Sequence, residues 1–179
     1  MHTVGLVLHP QRDSAEAVDA ILGWAERRGV QVLGVGAEIQ RLNCAAVPVT
    51  PDELAERSDL LVSLGGDGTM LRAMRLCCGT ETPVLGVNVG KLGFLAEIDP
   101  PELGDALSAI DEHRSTVEPR SAVQASFHGQ QTIAFNDVDL ARIPGRGSAA
   151  VVELTVSAGG STLVTTTPRS VAASMSTLL

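Results

Sequence analysis

Residues 60–64, Leu-Leu-Val-Ser-Leu, run straight into Gly-Gly-Asp-Gly-Thr at 65–69, and an amphipathic helical pattern begins at Met70. A strand that passes into a helix through three glycines and one acid leaves few folds open. Asp-Gly between alternating apolar strands would be a hairpin turn. Here, however, Met70, Leu71, Met74, Cys77 and Cys78 recur at helical spacing, with Arg72 and Arg75 on the opposite face. Glycine lacks a Cβ, so such a loop can turn with positive φ and bring its N–H groups close to an anion. The helix behind it adds unpaired N–H groups and a positive dipole end. A phosphate-binding loop is expected, with Asp67 as its one reactive side chain.

The surrounding pattern alternates strand and helix. Thr3–Leu8 is an apolar run ended by His9-Pro10, and Asp13 with Glu16 predicts a capping box for a helix whose stripe is Val18, Ile21, Leu22 and Ala25, stopped by Gly29. Val30–Val35 is the second strand. Thr50-Pro51-Asp52-Glu53 is a second capping box, with proline at the first helical position of a short helix reaching about Arg57. Asp59–Leu64 enters the glycine loop, the following helix stops at Gly79, and Pro83–Asn88 is the fourth strand. Asp99 and Glu102 then open a helix with the stripe Leu103, Ala106, Leu107 and Ile110. Such alternation predicts an α/β domain over residues 1–115, a parallel sheet with helices on its faces, whose ligands sit beyond the carboxyl ends of the strands.

From residue 116 to 179 the texture changes to strand-like runs, Ala122–Phe127, Thr132–Leu140, Ala149–Val156 and Leu163–Thr167, separated by loops at His128-Gly129 and Ile143–Gly147. A β-rich second domain is expected. The chain of 179 residues is long enough for one domain and part of a second. Thirteen Lys and Arg against 21 Asp and Glu give net charge −8, which provides no electrostatic footprint for nucleic acid, and no basic run marks a membrane surface. Residues 1–10 lack the pattern of an export signal and no apolar stretch is long enough to span a bilayer, so a cytoplasmic location is expected. Cys44, Cys77 and Cys78 are an odd set without metal-ligand spacing and are expected to be reduced, the last two on the buried face of one helix.

Three motifs in order carry a resemblance: Leu64-Gly65-Gly66-Asp67-Gly68-Thr69-Met70-Leu71-Arg72, then Gly86-Val87-Asn88-Val89-Gly90-Lys91-Leu92-Gly93-Phe94-Leu95-Ala96-Glu97, then Phe135-Asn136-Asp137. Together they resemble a bacterial NAD kinase over nearly the whole chain to about residue 158. The resemblance implies a Rossmann-like N-terminal domain followed by a β-rich domain that binds NAD. It also implies phosphoryl transfer from ATP, or in some bacteria polyphosphate, to the 2′-hydroxyl of the adenosine ribose of NAD, giving NADP. By the same resemblance Asp67 is the general base, Gly65, Gly66, Gly68 and Thr69 line the phosphates with Mg²⁺ neutralising them, and Arg72 contacts the nucleotide. Asn136 and Asp137 hydrogen-bond the nicotinamide nucleotide, and the assembly is a homo-oligomer. Lys91 is either a phosphate contact or an exposed side chain, and Phe94-Leu95 are expected to pack beneath the Gly90–Gly93 path.

The likeness weakens at the end of the chain. Where the family carries Thr-Pro-Thr-Gly-Ser-Thr-Ala-Tyr, this sequence has Thr167-Pro168-Arg169-Ser170-Val171-Ala172-Ala173-Ser174, and Ser161-Thr162 replace an Asp-Gly. The expectation is an incomplete β-rich domain, as in a C-terminally truncated or degraded member, and weak catalysis or none. The alternatives are a catalytically impaired nucleotide-binding or subunit-interaction fragment, or another kinase using the same loop, such as a lipid kinase or phosphofructokinase.

Overall fold

The computed structural model describes residues 1–90, 93–96, 98–127, 130–135, 154–158 and 161–166. They fall into two compact units, residues 1–119 and 120–179.

In the first unit five parallel strands, β1 (Thr3–Leu8), β2 (Gln31–Val35), β3 (Val47–Val49), β4 (Leu60–Gly65) and β5 (Val84–Asn88), form one sheet in the order β3-β2-β1-β4-β5. β1 and β4, at and beside the centre, are buried on both faces, which is why they read as unbroken apolar runs. Alternate residues serve opposite cores: Val4, Leu6 and Leu8 of β1 and Leu60, Val62 and Leu64 of β4 join Val18, Ile21, Trp24, Leu103 and Leu107 on one face. Val7 and Leu61 join Leu54, Ala55, Ala73 and Cys77 on the other. Thus α1 (Ala15–Arg28) and a later helix, Leu103–Asp111, cover the first face, and Trp24 Nε1 donates to Ser108 Oγ across them at 3.0 Å. The short helix Pro51–Glu56 and the helix Asp67–Leu76 cover the second.

The expected α/β order is present, with two additions. A helix, α2 (Gly36–Leu42), and the strand β3 lie between β2 and Pro51. Neither is long enough to display a period, and Pro48 inside β3 argues against a strand until β3 is seen to be the sheet edge, where proline is tolerated. In the same order α3 is Pro51–Glu56, α4 Asp67–Leu76 and α5 Leu103–Asp111. The Thr50–Glu53 capping box forms, with Pro51 in the first turn. The Asp13–Glu16 box does not. Ser14 is the N-cap of α1, and Asp13 Oδ1 accepts the Ala15 N–H at 3.0 Å, a local turn that competes with the box. Gly29, at φ +68°, ends α1 as expected. The α4 helix ends at Leu76, before Gly79, and Cys77 is buried while Cys78 is exposed, so the two cysteines do not share a buried face.

In the second unit β6 (Val123–Phe127) pairs antiparallel with β7 (Gln130–Ala134), and β8 (Leu154–Ala158) with β9 (Ser161–Thr166). The expected Asn136-Asp137 site, Lys91 and the segment 167–174 lie outside the described residues.

Candidate functional site

The strand order reverses between β1 and β4, because the chain builds outward from β1 through β2 and β3 before crossing back to β4 and β5. Loops leaving two such strands diverge, and a cleft opens at their carboxyl ends. A cavity of about 350 Å³ lies there, walled by His9, Pro10 and Arg12 after β1 and by Gly66–Thr69 and Arg72 at the start of α4. Of the sequence-predicted residues, Gly66, Asp67, Gly68, Thr69 and Arg72 share this cavity.

Helix α4 begins three residues earlier than the apolar stripe indicates, with Gly66 as N-cap and Asp67 as its first residue. The amides of Asp67 and Gly68 head the helix and have no intrahelical acceptor. Thr69 N–H turns back to the Gly66 carbonyl at 2.9 Å, and the Thr69 side chain is buried. Gly65 ends β4 and is buried below the loop; a Cβ there would overlap the Thr69 hydroxyl. Gly65 therefore gives the loop its close packing, and Gly66 and Gly68 face the cavity.

The Asp67 carboxylate is held from across the sheet edge. Its Oδ1 accepts the N–H groups of Phe94 and Leu95, both at 2.9 Å, while Oδ2 shares only a longer 3.2 Å contact with Phe94 N–H. Oδ1 is thereby filled and Oδ2 keeps acceptor capacity. Residues 93–96 reach Asp67 because Gly93 has no Cβ to overlap Oδ1, and because Ala96 and Leu95 lie against the bare backbone of Gly86, where a Cβ would stand 3.0 Å from Ala96 Cα. Ile98 then anchors the segment, bridging Val87 and accepting the Asn88 N–H at 2.8 Å. The expected packing of Phe94 beneath this path is not found: its side chain is 99% exposed, while its amide does the work.

Arg72 lines the cavity with its side chain 40% exposed, and it is paired within the chain. Its Nη1 is 2.7 Å from Glu38 Oε1 and its Nη2 is 2.5 Å from the Leu8 carbonyl, while Glu38 Oε2 accepts the Leu8 N–H at 2.8 Å. From the same helix α2, Arg41 donates to the carbonyls of His9, at 2.7 Å, and Pro10. The unforeseen helix α2 is thus the brace of the β1 turn.

His9 and Arg12 are the other cavity residues that sequence reasoning missed. His9 Nδ1 accepts the N–H groups of Gln11 and Arg12, both at 3.1 Å, which places the ring proton of the neutral form on Nε2. Burial first, then the charges of Arg12, Arg41 and Arg72, hold the imidazole below its ordinary range. Arg12 Nη1 donates to the Val89 carbonyl at 2.6 Å. On a chain of net charge −8, the cavity wall carries two guanidinium groups, Arg12 and the Glu38-paired Arg72, opposite the Asp67 carboxylate.

The family model of the ATP-NAD kinase N-terminal domain matches residues 4–115. The NAD kinase of Desulforamulus reducens is 34% identical over 143 residues, which cover 76% of this chain and 50% of that protein. NAD kinase 1 of Streptomyces avermitilis is 38% identical over 128 residues, covering 65% and 32%. Among solved structures, yeast NADH kinase complexed with NADH superposes with a TM-score of 0.73 at 23% identity, covering 97% of this chain and 57% of that one. An NAD kinase from Archaeoglobus fulgidus in complex with ATP gives 0.61 at 20%, covering 91% and 56%. The chain spans about half the length of the curated NAD kinase of D. reducens. Since the domain model matches well over half of the sequence and encloses the whole cleft, the chain belongs to the NAD kinase family.

Proposed function

We propose that the chain transfers a phosphoryl group from ATP or polyphosphate to the 2′-hydroxyl of the adenosine ribose of NAD, forming NADP. The observation that carries this is Asp67: a carboxylate at the head of α4, fixed at Oδ1 by two backbone N–H groups and open at Oδ2, beside a cavity lined by Arg12 and Arg72 at the switch point of the sheet. Such a carboxylate suits a general base that receives the hydroxyl proton as the ribose oxygen attacks the terminal phosphorus, the bond to the bridging oxygen breaks, and ADP or the polyphosphate shortened by one unit leaves. The amides of Asp67 and Gly68, with the helix dipole, would hold the donor phosphates. Yeast NADH kinase and the A. fulgidus enzyme, whose structures contain NADH and ATP, support the pairing of these two substrates.

Mg²⁺ fits this site as a companion of the donor. Among the described residues no group of three His, Cys, Asp or Glu could hold a metal alone. A magnesium ion typically binds phosphates and water with one or two carboxylates, and Asp67 is the carboxylate at the cavity. Bound there, it would neutralise phosphate charge. Residues 1–115 form the nucleotide-binding part in this proposal and 116–179 the start of the NAD-binding part, where Asn136 and Asp137 hydrogen-bond the nicotinamide nucleotide. A cytoplasmic homo-oligomer is proposed on family grounds. Among the described residues no helix is long and apolar enough to cross a membrane.

The test is NADP formation by the purified chain with ATP, Mg²⁺ and NAD, read by an NADP-specific dehydrogenase. Slow ATP-dependent turnover is expected, raised when residues 167–174 are replaced by Thr-Pro-Thr-Gly-Ser-Thr-Ala-Tyr. Asp67→Asn should lower the rate by about 10²–10⁴ in either background. A folded protein that makes no NADP in both backgrounds, with ATP and with polyphosphate as donor, overturns the proposal.

A further inference from the structure

Arg12 is half-buried at the mouth of the cavity, yet among the described residues it has no carboxylate partner. Arg72, the other arginine in the cavity wall, is neutralised by Glu38. One face of the Arg12 guanidinium is anchored, with Nη1 on the Val89 carbonyl at 2.6 Å. The group lies over the glycine loop: a Cβ on Gly66 would stand 3.4 Å from Nη1 and 4.0 Å from Nη2. On the far side Gly90, at φ +113°, brings bare backbone against the same side chain, where a Cβ would approach Nη1 to 3.1 Å. Val89 N–H in turn bonds the Gly65 carbonyl at 2.9 Å, so Arg12 ties the turn after β1 to the ends of both β4 and β5.

Beside a neutral imidazole and a helix N-terminus, the one carboxylate in the described cavity wall is Asp67, whose Oδ1 is already taken by the Phe94 and Leu95 amides, so a partly buried guanidinium there is completed by a further anion. The anchored nitrogen leaves Nε and Nη2 with donors to spare, in the fork geometry that matches phosphate. We infer that Arg12 is a positioning residue that clamps the phosphate chain of the donor against the Gly66–Gly68 amides. This rests on the phosphoryl-transfer function proposed above and goes beyond it by assigning to the β1 turn a grip on the donor's phosphates rather than on its nucleoside. The donor grip is then sequence-distant from the base: Arg12 comes from the first crossover of the sheet and Asp67 from the fourth.

The test measures binding of inorganic tripolyphosphate, ATP and adenosine to the full chain in Mg²⁺ buffer by calorimetry, for the wild type, Arg12→Gln and Arg12→Lys. Loss of one charge-assisted grip predicts that Arg12→Gln weakens tripolyphosphate and ATP by the same factor, roughly 10- to 100-fold. Adenosine binding should be unaltered, and Arg12→Lys should fall between. Addition of tripolyphosphate should also raise the His9 titration midpoint seen by NMR in the wild type and do so less in Arg12→Gln. A wild type that binds neither polyanion overturns both this inference and the proposed function. Wild-type binding that both variants retain, with only thermal stability reduced, overturns the inference alone and leaves Arg12 as a loop tether. A loss confined to ATP assigns Arg12 to the nucleoside and likewise overturns the phosphate grip. If Arg12→Gln does not fold, an Arg12→Lys protein with wild-type affinity for tripolyphosphate and an unchanged His9 response overturns it.

Discussion

Replacing Glu38 by Gln isolates the brace beneath the candidate site. The Glu38 carboxylate has two donors to satisfy, Leu8 N–H at 2.8 Å and Arg72 Nη1 at 2.7 Å. Glutamine keeps the shape but has only one acceptor end, so its amide NH₂ must face one of those donors. If the carbonyl stays on Leu8, the ion pair is lost; with Arg72 40% exposed and Glu38 14%, that pair contributes about 0.2–1 kcal/mol. The remaining bond changes from charged to neutral, and a donor now opposes a donor in a half-buried place, so the total loss is about 2–3 kcal/mol. For a unit of this size that corresponds to a fall in Tm of roughly 8–12 °C. The assay is urea unfolding followed by fluorescence of Trp24, the single tryptophan, which is 3% exposed in the α1–α5 core of the first unit. The midpoint should fall with no change in slope. In an Arg72→Met background the same replacement should cost less than about half as much, because the glutamine NH₂ no longer meets a cation. A Glu38→Gln protein within about 0.5 kcal/mol of the wild type would refute the two-donor argument.

Three further outcomes follow from the geometry. Gly93→Ala drives a methyl into the space of Asp67 Oδ1, so the Phe94 and Leu95 amides should exchange with solvent at least about tenfold faster; unchanged protection would show that Gly93 is not needed for the approach. Asp59 accepts the His2 and Thr3 N–H groups, and these bonds hold its carboxyl below the ordinary value of 3.8. Its stabilisation is therefore complete above that value and lost as pH falls through the lowered one, so the stability curves of wild type and Asp59→Asn should converge in acid; a constant gap down to about pH 2 would be the contrary result. Burial pushes the Cys77 thiol up to about 11, while Cys78 is exposed, so at about pH 8 a thiol reagent should label Cys78 well ahead of Cys77, as digestion and mass spectrometry would reveal.

The parts of the fold carried by periodicity were legible. β1, α1, β4 and β5 each bury whole faces, and that burial writes a pattern of apolar residues into the sequence. The glycine loop was legible because its residue types are dictated by backbone proximity. α2 and β3 were not, since a seven-residue helix and a three-residue edge strand bury little; Ile39 and Val49 are their only buried residues. The same blindness hid the site's supports. Glu38, Arg41, His9 and Arg12 belong to short or irregular segments and act through single polar bonds, which leave no period. A signal for Arg12 did exist. In an α/β sheet, the loop after the first strand and the glycine loop become neighbours once the order is known to reverse at β1, and that places His9-Pro10-Gln11-Arg12 opposite Asp67. For Arg72 the position on α4 was legible, but its partner Glu38 lies on a helix that was not.

β1, the central strand of the sheet, precedes the other four strands along the chain. β1 pairs with β2 on one side and, across more than fifty residues of intervening chain, with Leu60–Leu64 on the other. A nascent chain that has released only the first crossover therefore carries a strand with one edge satisfied and an apolar edge waiting for β4. Long-range parallel pairing of this kind is entropically slow, and its closure is what brings the turn after β1 against the head of α4. During translation the cleft cannot form before residue 72 or so is free to fold, and its walls are fixed only once Val89, Phe94 and Leu95 reach Arg12 and Asp67.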